Sequence, residues 1–381
     1  MNKKFKKNNA HKPQTNKTSS EVVSSAPKNL DVEKDKTFSM DVASISKTEV
    51  IEAPNDQKNV QVEVKNEISD IQKNTDVPAS KTFPKEVSAS SVQLPISEIK
   101  IFQIYYEPWQ KDLLDTDFIP VDNSKSTSEL REVDVFDRLA KSDFIKGATL
   151  WGALSWRFTE KTGMTGDDLI KEILANPNQD LYFCNPEPEY EALYHNLWLQ
   201  GIPSHPKFME VCQAFFKATG LPLDSFIAIE SIQITSSANF FIGSEKFWTL
   251  YLPWMQNLLN VANKKMPTQV RDLMHSSVAD EKNIHQGASY VPFIIERLLP
   301  IFLKTVGSSL KSYKLNMLEP LKKLDVHLRL LREMKDVAYK TNSPWLAACW
   351  VNYKNLYLTQ TKGIAWCKNY LRQVTPEKII F

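Results

Sequence analysis

The chain has 381 residues and carries 47 Lys+Arg against 45 Asp+Glu, a formal charge of +2. That balance excludes a general nucleic-acid binder, which needs a basic excess or stripe. The first 95 residues contain no Trp, Tyr, Gly, Cys or Arg, too little to offset the entropy of ordering a chain, so a Lys/Ser-rich disordered tail is expected over 1–95.

The tail holds 15 Lys and 13 Asp+Glu, which by subtraction leaves the body 32 of each. Six lysines and no acid fall in the first 20 residues, a solvated end for which an anionic membrane or nucleic acid is the alternative partner. No apolar stretch follows these lysines, so a secretory signal is not expected. The four cysteines (184, 212, 349 and 367) sit among apolar neighbours without C-x-x-C spacing, as buried thiols in a reducing compartment would. The longest apolar run, Val291 to Val306, is broken by Glu296, Arg297 and Lys304, so no transmembrane helix is expected. The expected location is the cytoplasm, with the inner face of the membrane as the alternative.

In chain order, "VQVEVKNEI" (Val60 to Ile68) alternates like a strand but has no neighbour to pair with and reads as linker. Ile99 to Tyr105 is a first strand ending at Pro108. Turn residues from Asp122 to Ser128 precede a helix or short strand in "ELREVDVFDRL", and the apolar "GATLWGALSWRF" (Gly147 to Phe158) belongs inside. Thr165, with Asp167 and Asp168 behind it, starts a helix that stops near Asn176–Pro177. "DLYFCNP" is a core strand running into a loop. Helices follow over Glu189 to Gln200, stopped by Gly201, and over Pro206 to Thr219, stopped by Gly220. "FIAIESIQITSSANFFIG" holds one or two strands. Ser244 then caps a helix whose Phe247, Leu250, Tyr251, Trp254, Met255 and Leu258 recur at helical spacing. From Tyr290 onward the pattern is helical throughout. The alternation between residues 99 and 260 predicts an α/β three-layer body over 96–308, with a helical C-terminal extension over 309–381.

No P-loop, G-x-G-x-x-G, G-x-S-x-G or H-E-x-x-H occurs, and ten glycines argue against a phosphate-cradling loop. One ordered series does stand out. "KIFQIYYEPWQ" is followed by "ELREVDVFDRL", "GATLWGALSWRFTEKTGMTGDDLI", "DLYFCNPEPEYEALYHNLWLQGIPSHPKF", "SSANFFIGSEKFW" and "VPFIIERLLPIFL". Over about Ile99 to Lys304 this series resembles bacterial proteins encoded with surface-polysaccharide genes and, more distantly, glycosyltransferases of the GT-A type. The resemblance implies a Rossmann-like GT-A body that moves a sugar from a nucleotide-sugar donor to a glycan or lipid-linked glycan acceptor. Such transfer needs a carboxylate to take the acceptor proton and positive charge on the leaving diphosphate. GT-A enzymes commonly hold a divalent metal with Asp-x-Asp after a core strand. Here that place reads Glu187-Pro188-Glu189, which could hold Mg²⁺ or Mn²⁺ or could be an acidic first helical turn.

Glu296, interrupting an apolar helix, is a general-base or donor-contact candidate and Arg297 a nucleotide-sugar-binding one; an internal Glu–Arg brace is the structural alternative. Asp134 is the second catalytic candidate and shares a helix face with Asp137, with Glu132 close by; a solvated face is the alternative. His195 and His205 could contact phosphate or a sugar hydroxyl, or be partly buried, and no third ligand lies nearby for zinc. Asn185 and Asn239 sit at strand ends where a side chain could face a cleft. Tyr105, Tyr106, Trp151 and Trp156 could stack on a base or sugar, or belong to the core. Trp345, Trp350, Tyr353, Tyr357 and Trp366 lie among Lys354, Lys362, Lys368 and Arg372, a basic aromatic segment that could lie on a membrane, pack on the body or form a homo-oligomer. The function expected is glycosyl transfer. The alternative is a non-catalytic glycan- or partner-binding protein with a degenerate transferase fold.

Overall fold

Residues 99–105 alternate apolar side chains between two faces, as a strand buried on both sides does. They form β1 (Ile99–Tyr105) in a computed structural model that describes Pro95 and residues 98–278 and 287–381. The expectations for the tail and for Val60 to Ile68 lie outside the described residues. β1 pairs in parallel with β2 (Ile119–Asp122) on one side and with β3 (Leu150–Ser155) on the other. Helix α1 (Glu132–Ala140) connects β2 to β3, and α2 (Phe158–Thr162) and α3 (Gly166–Ala175) follow β3. Thr165 starts α3, as the sequence predicts, and its cap is a reciprocal box with Asp168.

After β4 (Leu181–Phe183) come α4 (Pro188–Leu193), α5 (Leu197–Ser204), α6 (Phe208–Thr219) and α7 (Asp224–Ile227). The helix expected over Glu189 to Gln200 is thus two. Asn196 starts the second: its side chain accepts from the Leu199 amide and donates to the Phe226 and Ala228 carbonyls. Gly201 does not stop a helix; it sits within α5, where a Cβ would meet the Phe208 ring. Gly220 does stop α6, at φ +73°.

β5 (Phe241–Ser244) is the only strand in the "FIAIESIQITSSANFFIG" stretch. The Ile229 and Glu230 amides upstream go instead to the Ile380 and His195 carbonyls. Ser244 caps α8 (Glu245–Lys265), which buries Phe247, Tyr251, Met255 and Leu258. Then follow α9 (Thr268–His275), α10 (Tyr290–Ile295), α11 (Leu299–Lys304), β6 (Ser312–Lys314), α12 (Leu318–Lys322), α13 (Val326–Lys340) and α14 (Pro344–Trp366). β6 corrects the wholly helical reading of 309–381, because this short polar segment joins the sheet beside β4.

The six-stranded order is β2-β1-β3-β5-β4-β6. Five strands share one direction, and β5 runs against both of its neighbours. One face of the sheet (Phe102, Ile104, Trp151, Ala153, Leu181, Phe183) meets α1, α4–α6, α8, α10 and α11. The other (Ile99, Ile101, Leu150, Leu154, Tyr182, Ile242) meets α2 and α3. A sheet between two helical layers is therefore present. Gly152 permits the β3–β5 pairing, since a Cβ there would run into the Phe241 carbonyl oxygen.

Candidate active site

Parallel strands deliver their C-terminal loops to one rim, and open α/β sheets bind ligands there, where the chain reverses the direction in which strands are added. Here that reversal falls between β1 and β3, with β2 added on one side of β1 and β3 on the other. The rim receives Tyr106 from the end of β1, Trp156 and Arg157 from β3, and the Glu187–Glu189 turn from β4. Arg131 and Glu132 at the start of α1, Lys161 of α2, and Glu296 at the end of α10 complete it.

Electrostatics ties these side chains into two groups, one of Tyr106, Arg131, Glu132, Lys161 and Glu296 and one of Arg157, Glu187 and Glu189. Glu296 is 29 % exposed and 4.0 Å from Arg297. Burial first, and then the Glu132 charge, push its carboxyl up to about 7, against the pull of Arg297, Lys161 and Arg131. Burial and the Glu132 and Glu296 carboxylates raise the Tyr106 phenol, with Arg131 opposing. Arg157 forks onto Glu160 at 2.7 and 2.9 Å; that bond leads a rise in its pKa to which Glu187 also adds. Burial and then a hydrogen bond shared with Glu187 raise the Glu189 carboxyl, since adjacent carboxylates cannot both ionise cheaply. Tyr190 is pushed up to about 12 by burial and then by both glutamates.

Arg131 adopts φ 49° and ψ −113°, a backbone conformation rarely held by a non-glycine residue outside constrained sites. A cleft of about 230 Å³ lies beside it, lined among others by Tyr106, Asn123, Ser128 and Ser289. A second, polar hollow of about 240 Å³ lies at the C-terminal ends of β4 and β6, lined by Asn185, Glu191, Lys314, Asn316 and Arg332. A more apolar groove of about 340 Å³ between β2 and α1 has only Asp122 and Arg138 as charged lining groups, and acid–base chemistry is better served at the rim.

Of the sequence candidates, Glu296, Tyr106 and Glu132 come together, and Trp156, Glu187 and Glu189 lie on the same rim. Tyr105 instead faces Asp122, which adds to a rise in its pKa led by burial. Asp134 lies on the outer side of α1, paired with Arg138 at 3.2 Å, and Asp137 pairs with Lys141 at 2.6 Å. Trp151 is buried and stacked on Trp248 with centroids 4.3 Å apart. Asn185 is also buried and donates to Glu191 at 2.7 Å, while Ser237 donates to it at 2.6 Å.

His195 is wholly buried against Trp350, and neither ring nitrogen has a hydrogen-bond partner among the described residues. Burial, with Lys354 and Lys335, lowers its pKa well below the ordinary value and keeps it neutral. His205 stacks on Phe293 at 4.0 Å. Asn239 is buried with its Oδ1 unpaired. Arg297, expected to bind the nucleotide sugar, is instead a buried brace, donating at 2.7 Å each to the Leu197 and Phe293 carbonyls and to Gln200 Oε1. These residues mostly hold the walls; the rim does the facing outward.

The sequence reading missed Arg131, Arg157 and Lys161, whose exposed-looking contexts carry no local signal. It also missed Trp109, 53 % exposed and edge-on to Trp156 at 5.3 Å. Glu187 and Glu189 suit a hard divalent cation, with two carboxylates and phosphate oxygens as ligands; no group of three His, Cys, Asp or Glu placed to hold a metal exists among the described residues. No family model, curated protein or solved structure matches the chain.

Proposed function

We propose that this protein is a glycosyltransferase of GT-A-like architecture that moves a sugar from a nucleotide-sugar donor to a surface-glycan acceptor. The observation that carries this reading is the convergence of Tyr106, Arg131, Glu132, Lys161 and Glu296, from separate elements, at the C-terminal rim of the sheet. The three-layer body and its mixed sheet agree with it.

A base works best when its pKa lies near the working pH, and the Glu296 carboxyl, at about 7, meets that demand. In a direct displacement, Glu296 takes the proton of the acceptor hydroxyl as that oxygen forms its bond to the anomeric carbon. The bond from that carbon to the diphosphate breaks, and its electron pair stays on the diphosphate oxygen. Arg131, Arg157 and Lys161 supply the fixed positive charge that stabilises this oxygen in the transition state. The Trp109–Trp156 pair offers a face for a sugar or base. A divalent cation, when bound, would add positive charge at the diphosphate, and Glu187 and Glu189 would hold it.

The test is a thermal-shift series with UDP-, GDP-, CMP- and dTDP-sugars, with and without Mn²⁺. Stabilisation by one donor class, reduced in Arg131→Ala, is expected. Stabilisation by none refutes the reading and leaves the non-catalytic one.

A further inference from the structure

Helices α13 and α14 are amphipathic in an unusual sense. Their inner stripes, Leu331, Lys335 and Ala338 on α13 and Ala347, Trp350, Lys354 and Leu358 on α14, are buried against the body. Arg332 reaches Glu191, Lys335 the Tyr194 carbonyl and Trp350 the Ala192 carbonyl, so the hairpin rests on α4 and its flanks. Helical geometry then turns the opposite stripes away from the body. On α13 that stripe is Val326, Leu330 and Val337, spaced i, i+4, i+11; on α14 it includes Trp345 and Leu356 at the same interval. Val326 is 72 %, Trp345 81 % and, past the break at Gly363, Ile364 70 % exposed. Seven of the 14 large apolar side chains exposed among the described residues lie on this one hairpin, a concentration that marks an interaction surface.

Charge selects the occupant. Residues 337–376 contain Lys340, Lys354, Lys362, Lys368 and Arg372 and no Asp or Glu, although the body as a whole is balanced. Lys354 is buried and Lys340 pairs with Asp336. Lys362 and Lys368 are exposed without an ion pair among the described residues, and Arg372 meets Glu377 at 3.7 Å with both open to water. The outer stripe of α13 carries one exposed acid, Glu333, whereas that of α14 and the turn after it carries none; a symmetric pairing of two copies through α14 would set cations against cations. An apolar stripe flanked by uncompensated cations instead matches a layer of anionic headgroups over acyl chains.

We infer that the outer face of α14, with the turn that follows it, docks on an anionic membrane surface, lying in the interface without crossing it. No helix among the described residues is long and apolar enough to cross. The inference does not depend on the transfer chemistry, because lipid binding reads this face alone.

Co-sedimentation of the full chain with vesicles tests it. Binding is expected to vesicles of 30 % phosphatidylglycerol in phosphatidylcholine, and to weaken at least tenfold on pure phosphatidylcholine. Trp345→Ser with Ile364→Ser, and separately Lys362→Glu with Lys368→Glu and Arg372→Glu, should each lower the partition coefficient at least tenfold while leaving near-UV circular dichroism unchanged. These variants keep the six lysines of residues 1–20. Undiminished binding by both variants would therefore place the affinity elsewhere and overturn the inference. So would a wild-type chain that stays in the supernatant, or a dimer in sedimentation velocity that Trp345→Ser dissolves.

Discussion

Glu296→Gln separates the demands of catalysis from those of folding. A carboxyl raised from 4.5 to about 7 by the fold is more readily protonated folded than unfolded, so stability falls as pH climbs through that window and stays lower above it. At 1.36 kcal/mol per pH unit the full penalty is about 3.4 kcal/mol. The side chain is 29 % exposed, and screening by solvent reduces the figure to about 2 kcal/mol. Arg297, whose guanidinium lies 4.0 Å from the carboxylate, keeps its three hydrogen bonds when the charge is removed, so Gln should leave no orphaned partner. Urea unfolding should find the variant about 2 kcal/mol more stable than wild type at pH 8 and equal to it at pH 4. Loss of the base should cost about 10²–10⁴ in transfer rate at pH 7.5. A variant that is less stable at pH 8, or that transfers as fast as wild type, refutes the assignment.

Two further outcomes follow from buried charge. Glu191 is almost fully buried and receives Lys314 at 2.5 Å, Arg332 at 2.6 Å and Asn185 at 2.7 Å. Glu191→Ala strands two cations and should cost about 3–5 kcal/mol in urea unfolding at pH 7. Burial acts to raise this carboxyl, but Lys314 and Arg332 carry it net below its ordinary value, so its contribution should fade as pH falls below about 4.5, visible as an acid-unfolding midpoint that the variant no longer shares. Burial, and then Lys335, depress the Lys354 ammonium from 10.5 to about 7. The unfolded chain binds the extra proton between those values, so wild-type stability should rise from pH 7 to pH 10, by up to about 1.4 kcal/mol per unit. Lys354→Met should flatten that slope, and an unchanged slope would mean the lysine is charged in place.

What the sequence made legible was local. The α3 start at Thr165, the α8 stripe and the Gly220 stop each rest on residues within a turn or two of one another. β6 was invisible because "SYK" is polar and becomes a strand only through its pairing with β4. The α4–α5 break depends on carbonyls some 30 residues beyond Asn196. The same divide runs through the site. Glu296 could be picked out because a charge in an apolar run is costly wherever it stands, although the structure sets it at the break between α10 and α11 and not inside one helix. Lys161 and Arg131 could not, because each sits in an ordinary polar stretch and acquires its neighbours only when α1, α2 and α10 meet. His195 and His205 looked chemical in a Trp-rich run, yet those apolar neighbours are what buries them.

The strand order also sets a schedule for assembly. β1, β2 and β3 can pair as soon as the chain has reached Ser155, since their partners are close in sequence. The other edge of β3, apolar and narrow at Gly152, then has no mate until β5 arrives at Phe241. β4 likewise waits for β5 on one side and for β6, at Ser312, on the other. Contacts so distant along the chain close slowly, and an uncovered strand edge is a template for the wrong partner. During synthesis this protein therefore passes through an interval in which half a sheet, "LWGALS" at its margin, is open to other chains, and its yield should respond to chaperones that cover such edges.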